Sequence, residues 1–143
     1  MSVVAWDGRT LAADRRGVAA GLVFSTRKIV AAPDALLAFT GEADSGEAMV
    51  AWFLDGALPE KFPESNLDKE RWSSLVAIKR DCILRYESTP HPIYIYEKKC
   101  AWGSGRDFAI TAMYLGKCAA DAVEIASLFE HNCGNGVDTL ELP

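Results

Sequence analysis

A chain of 143 residues with a net charge of −5, half of them apolar and 24% charged, has the make-up of one globular domain spanning residues 1–143. The charges are interspersed and form no basic stripe, which argues against a nucleic-acid partner, and no apolar run approaches the roughly 20 residues that a membrane span needs. The start lacks the basic stretch and apolar run of a secretory signal, so a cytoplasmic chain is expected.

Residues 1–16 read as a β-hairpin: Val3–Trp6 is β-branched and aromatic, Asp7-Gly8 is a tight-turn dipeptide, and Thr10–Ala13 is a second apolar run. Asp14 closes the second strand. Removal of Met1 would make Ser2 the first residue, placing a hydroxyl nucleophile and an α-amine base on one residue. Gly17–Phe24 and Lys28–Ala32 read as two extended segments, Pro33-Asp34 as a turn, and Ala35–Thr40 as a buried strand halted at Gly41. A helix is predicted next, with Asp44 as its cap and Glu47 completing a capping box. Met49, Trp52 and Phe53 form its apolar face, and Gly56 ends it.

Pro59–Arg71 is rich in charge and proline and reads as a loop. Ser73–Lys79, Cys82–Glu87 and Ile93–Glu97 are predicted strands, and Cys100–Trp102 is a short one running into Gly103-Ser104-Gly105. Helices follow over Arg106–Leu115 and Ala119–Phe129, then a Gly134-Asn135-Gly136 turn and a closing strand, Val137–Leu142. Strands and helices are segregated, which argues for an α+β fold. Two sheets packed face to face with helices outside, a four-layer αββα sandwich, would use every element.

Taken singly, the chemical motifs are weak. Cys82, Cys100, Cys118 and Cys133 form no C-x-x-C pair, and with only His91 and His131 beside them no metal spacing exists; packed, reduced thiols and no cofactor are expected. Gly103-Ser104-Gly105 lacks the rest of a dinucleotide fingerprint and the P-loop lysine. No G-x-S-x-G elbow occurs, and nothing places either histidine in a Ser-His-Asp triad. Lys28 alone would be read as a surface lysine.

The order of these motifs resembles the proteasome β-type subunits, and in particular the small bacterial peptidase HslV and its short phage-encoded relatives, within the N-terminal nucleophile (Ntn) hydrolases. Leu11-Ala12-Ala13-Asp14-Arg15-Arg16 is similar to the opening strands and their acidic residue, and Arg27-Lys28-Ile29 to the segment with the active-site lysine. Ala38-Phe39-Thr40-Gly41 resembles the strand end that supplies the oxyanion-hole N–H. Trp102-Gly103-Ser104-Gly105-Arg106 and Cys133-Gly134-Asn135-Gly136-Val137-Asp138 match two later junctions of the family. The resemblance covers nearly the whole chain and implies the αββα sandwich of that family. This sequence departs from the pattern with Ser2 in place of threonine, Glu130 in place of aspartate and a shorter opening hairpin.

The resemblance implies a peptidase in which Ser2 is the nucleophile, Lys28 the neighbouring cation, Asp14 the carboxylate that orients it, and the Gly41 N–H the oxyanion donor. Ser104 and Glu130 would hydrogen-bond around the amine, and Phe39 and Ala43 would shape the substrate pocket. It further implies a homo-oligomeric ring, a peptide or unfolded-protein substrate and an unfoldase ATPase as partner. Two other readings stay open: a ring subunit without activity, and an Ntn amidohydrolase acting on a small amide. Replacing Lys28 is expected to abolish turnover and leave the fold intact.

Overall fold

The structure, a computed structural model, describes residues 2–68, 70 and 72–143. Met1 and the Lys69 and Arg71 positions of the predicted 59–71 loop lie outside the described residues.

The opening hairpin is β1 (Val4–Trp6) and β2 (Thr10–Asp14), paired Val4 to Ala13 and Trp6 to Leu11. The Asp7 carboxylate closes its turn by accepting the N–H groups of Arg9 at 2.9 Å and Thr10 at 2.8 Å, while Gly8 takes the left-handed backbone (φ 96°) that the corner requires. β10 (Cys100–Trp102) pairs with the outer edge of β1, and β11 (Val137–Glu141) with that of β2, giving an antiparallel sheet in the order β10-β1-β2-β11. A second antiparallel sheet runs β5 (Ile29–Ala31), β6 (Leu36–Gly41), β7 (Ser73–Ile78), β8 (Ile83–Tyr86) and β9 (Ile93–Ile95) in that spatial order.

Strand alternation splits each sheet's side chains between two layers. Val4, Trp6, Leu11 and Ala13 face Ile29, Leu36, Ala38, Val76 and Ile78 across the gap between the sheets. On the opposite face of the first sheet, Val3, Ala5 and Ala12 meet α2 (Arg106–Tyr114) and α3 (Ala119–Phe129) through Ala109, Met113, Ala122, Val123 and Ala126. The many alanines here let both helices lie close on the sheet. On the far face of the second sheet, Leu37, Phe39, Leu75 and Ala77 meet Met49, Val50 and Trp52 of α1 (Ala43–Leu54). The result is the four-layer αββα sandwich expected from the order of the elements. Strands buried on both faces explain the near-continuous apolar runs at 3–6 and 35–39. Leu11, Leu37 and Leu75 are fully buried, each contributing about 1.5–3 kcal/mol.

Two local expectations are corrected. Gly17–Phe24 is not one extended segment: it is a hairpin of β3 (Arg16–Ala19) and β4 (Leu22–Ser25), turning at Ala20 (φ 50°) and Gly21 (φ 78°). Two consecutive left-handed residues make a tight hairpin turn, but alanine at the first of them carries no sequence signal for it. The capping box at Asp44 and Glu47 does not form, because α1 begins earlier. Gly41 (φ 108°) breaks the strand, Glu42 occupies the N-cap position in extended conformation, and its carbonyl accepts the Gly46 N–H at 2.9 Å. The Asp44 carboxylate instead accepts the N–H of its neighbour Ser45 at 2.8 Å. Within the predicted loop, Pro59–Lys61 and Glu64–Leu67 form short 3-10 turns. Among the described residues no helix is long and apolar enough to cross a membrane.

Candidate active site

Asp14 is the electrostatic centre of the site. It lies at the end of β2, 1% exposed, and its carboxylate is saturated with donors. Oδ1 accepts the Val3 N–H at 3.0 Å and the Lys28 ammonium at 2.8 Å; Oδ2 accepts the N–H groups of Arg16 at 3.2 Å and Gly134 at 3.1 Å. A buried carboxylate is tolerated only with such compensation. The four bonds tie together both ends of the first hairpin, the start of β3, the residue before β5 and the turn before β11. Lys28, read alone as a surface lysine, is only 4% exposed.

Ser2 is 2% exposed and is held through its carbonyl, which accepts the Gly105 N–H at 3.1 Å and the Ser104 hydroxyl at 3.4 Å. Gly103 lies so close beneath it that a Cβ there would stand 2.2 Å from the Ser2 oxygen, and its φ of 93° also requires glycine. The glycine-serine-glycine junction therefore clamps the residue after Met1, using a close backbone approach in place of phosphate binding.

One cavity of about 230 Å³ brings Ser2 and Lys28 together with Phe39, Gly41 and Ala43. Arg16, Thr26, Glu42, Glu70 and Trp72 also line it. N–H groups alternate between the two edges of a strand. Phe39 donates its N–H to the Lys28 carbonyl at 3.1 Å, so Gly41, two residues further, presents its own N–H on the same edge, beyond the end of β5 and at the cavity. Phe39 is itself 3% exposed, its ring seated over Gly46 of α1, where a Cβ would stand 2.1 Å from the ring.

The remaining residues named from the sequence are placed differently from that expectation. The described hydrogen bond of the Ser104 hydroxyl to Ser2 goes to its carbonyl, and the same hydroxyl lies 3.8 Å from Cys133 Sγ. Glu130 terminates α3, and its carboxylate accepts the N–H (3.2 Å) and side-chain amide (2.9 Å) of Asn132; among the described residues no hydrogen bond joins it to Ser2. Cys133 is buried beside the site. Burial, reinforced by the negative charge of Asp14 and opposed by the Ser104 hydrogen bond and the Lys28 charge, pushes its thiol up to about 11, so it is neutral at physiological pH.

Three contacts at the site join residues far apart in the sequence, with partners that the sequence does not name. The Gly134 N–H on Asp14 and the Gly103–Gly105 clamp are backbone interactions across more than 100 residues of chain. Arg16 lines the cavity while its guanidinium is fixed by Asn135 Oδ1 (3.1 Å) and the His131 carbonyl (2.5 Å), a pairing that spans the same distance in sequence.

Chemically, the site brings a residue with a hydroxyl, a compensated cation and a backbone donor to one cavity. Comparison with solved structures finds this fold along the whole chain. BPH from Thiobacillus denitrificans in complex with epoxomicin matches with a TM-score of 0.73 at 23% identity, covering 100% of both chains. A further structure of Thiobacillus denitrificans BPH matches at 0.68, again at 23% identity over 100% of this chain and 99% of that one. Eukaryotic HslV from Trypanosoma brucei matches at 0.69 and 19% identity over 99% of each chain. No family model matches the sequence, and no curated protein does.

Proposed function

We propose that this chain is a proteasome-like peptidase in which Ser2, exposed by removal of Met1, cleaves peptide bonds. The observation that carries the reading is the cavity shared by Ser2, Lys28 and Gly41, with Lys28 held by the buried Asp14 behind it. The likeness of the fold to HslV supports it, as does the epoxomicin bound by the BPH structure. An epoxyketone offers two electrophilic carbons, which the hydroxyl and free amine of one residue can engage together.

In the proposed reaction the α-amine of Ser2, with an ordinary pKa of about 7.7–8.0, takes the proton from Oγ as Oγ attacks the peptide carbonyl. The Lys28 ammonium disfavours prior protonation of the α-amine, keeping it a base, and stabilises developing negative charge on Oγ, while Asp14 fixes the ammonium. The tetrahedral oxyanion accepts the Gly41 N–H, a donor typically worth about 2.7–4 kcal/mol. Collapse expels the leaving amine, which receives the proton from the Ser2 ammonium, and water then hydrolyses the ester by the same steps. Serine lacks the methyl that restricts χ1 in threonine, so a slower enzyme than a threonine equivalent is expected.

Assembly into a homo-oligomeric ring belongs to the same proposal. Leu22 and Val23 on the β3–β4 hairpin, Leu115 just after α2, and Leu128 and Phe129 on α3 are exposed, which supports surfaces covered in an assembly. An unfoldase ATPase partner and a cytoplasmic setting complete it. The competing reading, a ring subunit without activity, is favoured by the engagement of Glu130 with Asn132. Hydrolysis of fluorogenic peptides by the processed protein, lost in Ser2→Ala, supports the peptidase. Turnover of small amides in preference to peptides, or no turnover by a chain lacking Met1, overturns it.

A further inference from the structure

The corner between β6 and α1 carries the Gly41 N–H and is held from beneath by the Ser73 side chain. Ser73, the first residue of β7, is completely buried and pairs directly with Gly41. Its hydroxyl donates to the Glu42 carbonyl at 2.6 Å, and a Cβ at Gly41 would stand 3.1 Å from Ser73 Oγ, 3.0 Å from Ser73 Cα and 2.9 Å from the Trp72 carbonyl oxygen. The corner thus packs against Ser73 and the peptide that precedes it, with no room for a side chain at Gly41. The Glu42 carbonyl also receives the first N–H bond of α1, so Ser73 fixes the peptide at which strand becomes helix.

Ser73 is in turn fixed by Asn66, the only polar residue besides it that is completely buried among the described residues. The Asn66 side-chain oxygen accepts the Ser73 N–H at 2.7 Å, and its amide donates to the Glu87 carbonyl. No described buried side-chain nitrogen or oxygen is left without a partner. The 3-10 turn at Glu64–Leu67 therefore locks Ser73, and Ser73 locks the corner. A hydroxyl in this place is not needed for strand formation, because β6 and β7 are already joined by the ladder from Leu36–Ile78 to Gly41–Ser73.

We propose that Ser73 is a positioning residue for the oxyanion donor: its hydrogen bond to Glu42 holds the Gly41 corner where the donor meets the tetrahedral intermediate. The inference rests on the peptidase reading above. A donor of this kind acts only when its N–H is aimed at the oxyanion, and misplacement on the order of 1 Å costs up to about 100-fold. Ser73 does not touch the substrate, so its loss acts on kcat and leaves ground-state binding in place.

The test compares processed wild type, Ser73→Ala and Ser73→Thr on a fluorogenic peptide, and measures inhibition by a peptide aldehyde, which forms a tetrahedral adduct with Ser2. Ser73→Ala is expected to lower kcat about tenfold with KM within about twofold, to weaken the aldehyde by a similar factor, and to be rescued by Ser73→Thr. If Ser73→Ala does not fold, Ser73→Cys, which keeps the volume with a weaker donor, takes its place. A kcat within twofold of wild type in the folded variant, or a loss carried wholly by KM, overturns the role of Ser73 while leaving the peptidase reading intact. A processed wild type that neither hydrolyses peptide nor binds aldehyde overturns both.

Discussion

Replacing Lys28 by methionine removes the only cation, among the described residues, bonded to a carboxylate that is 1% exposed, and the structure predicts a large loss of stability in addition to any loss of turnover. Breaking a buried pair from one side typically costs about 3–5 kcal/mol, because the surviving charge stays desolvated. Asp14 keeps three backbone donors, from Val3, Arg16 and Gly134, which places the expected cost near the lower end, about 3 kcal/mol. With a urea slope of about 2 kcal/mol/M the unfolding midpoint falls by about 1.5 M. Asp14→Asn is destabilising for a different reason. Its amide must turn one NH2 group toward either the Val3–Lys28 donors or the Arg16–Gly134 donors, setting donor against donor. The double variant Lys28→Met/Asp14→Asn is expected to lose less than the sum of the two single losses, since neither orphan charge survives. The assay is urea unfolding by circular dichroism at one fixed protomer concentration, so that self-association does not enter the comparison. A Lys28→Met variant within about 0.5 kcal/mol of wild type, or strictly additive losses, would refute the account of the pair. A Lys28 variant that keeps the fold, as the sequence reading expects, is therefore predicted to do so at reduced stability.

Gly103→Ala is expected to displace Ser2 or unfold the chain, because its Cβ would stand 2.2 Å from the Ser2 oxygen at a φ of 93°; a soluble variant with wild-type melting and wild-type turnover would contradict the clamp. Asp7→Ala should cost about 1–2 kcal/mol, because the carboxylate closes the hairpin turn and also accepts the Ala119 N–H at 2.9 Å, capping α3 from a distant strand turn. Burial raises the Asp7 pKa, but the N–H groups of Thr10, Ala119 and Arg9 outweigh it and leave the net value below the ordinary one. The contribution is therefore present above the unfolded value of about 3.9 and disappears as pH falls through the lower folded value, so the gap between wild type and Asp7→Ala should close in acid. Cys118 is exposed, whereas Cys133 is buried with its thiol held near 11, so iodoacetamide at mildly alkaline pH should modify Cys118 and spare Cys133 until the protein unfolds, as read by peptide mass.

What the sequence could and could not announce follows from the range of each interaction. Residues 3–6 and 35–39 are apolar at nearly every position because both faces of their strands are covered, and that pattern is local. The hairpin turn is likewise local, written in Asp7-Gly8. By contrast, the start of α1 is set by the Gly41 corner and by Ser73 across the sheet, and a legitimate cap signal at Asp44 lost to that tertiary constraint. The β3–β4 turn runs through Ala20, a residue whose type does not favour a left-handed backbone. In the site, Lys28 and Asp14 are 14 residues apart and could be paired by their motif surroundings, but the partners that complete Asp14 and Ser2 are backbone groups of Gly134 and Gly105. Backbone N–H groups carry no residue signature, and their roles emerge only once the fold has joined the two ends of the chain.

The central claim is that Ser2 becomes a nucleophile with a free amine, and the mass of the natively expressed chain before and after epoxomicin tests it most directly. The expected result is a protein lighter by one methionine residue, and a single epoxomicin adduct that maps to Ser2 and is absent from Ser2→Ala. A chain that retains Met1 in its native host and takes up no epoxomicin would contradict it.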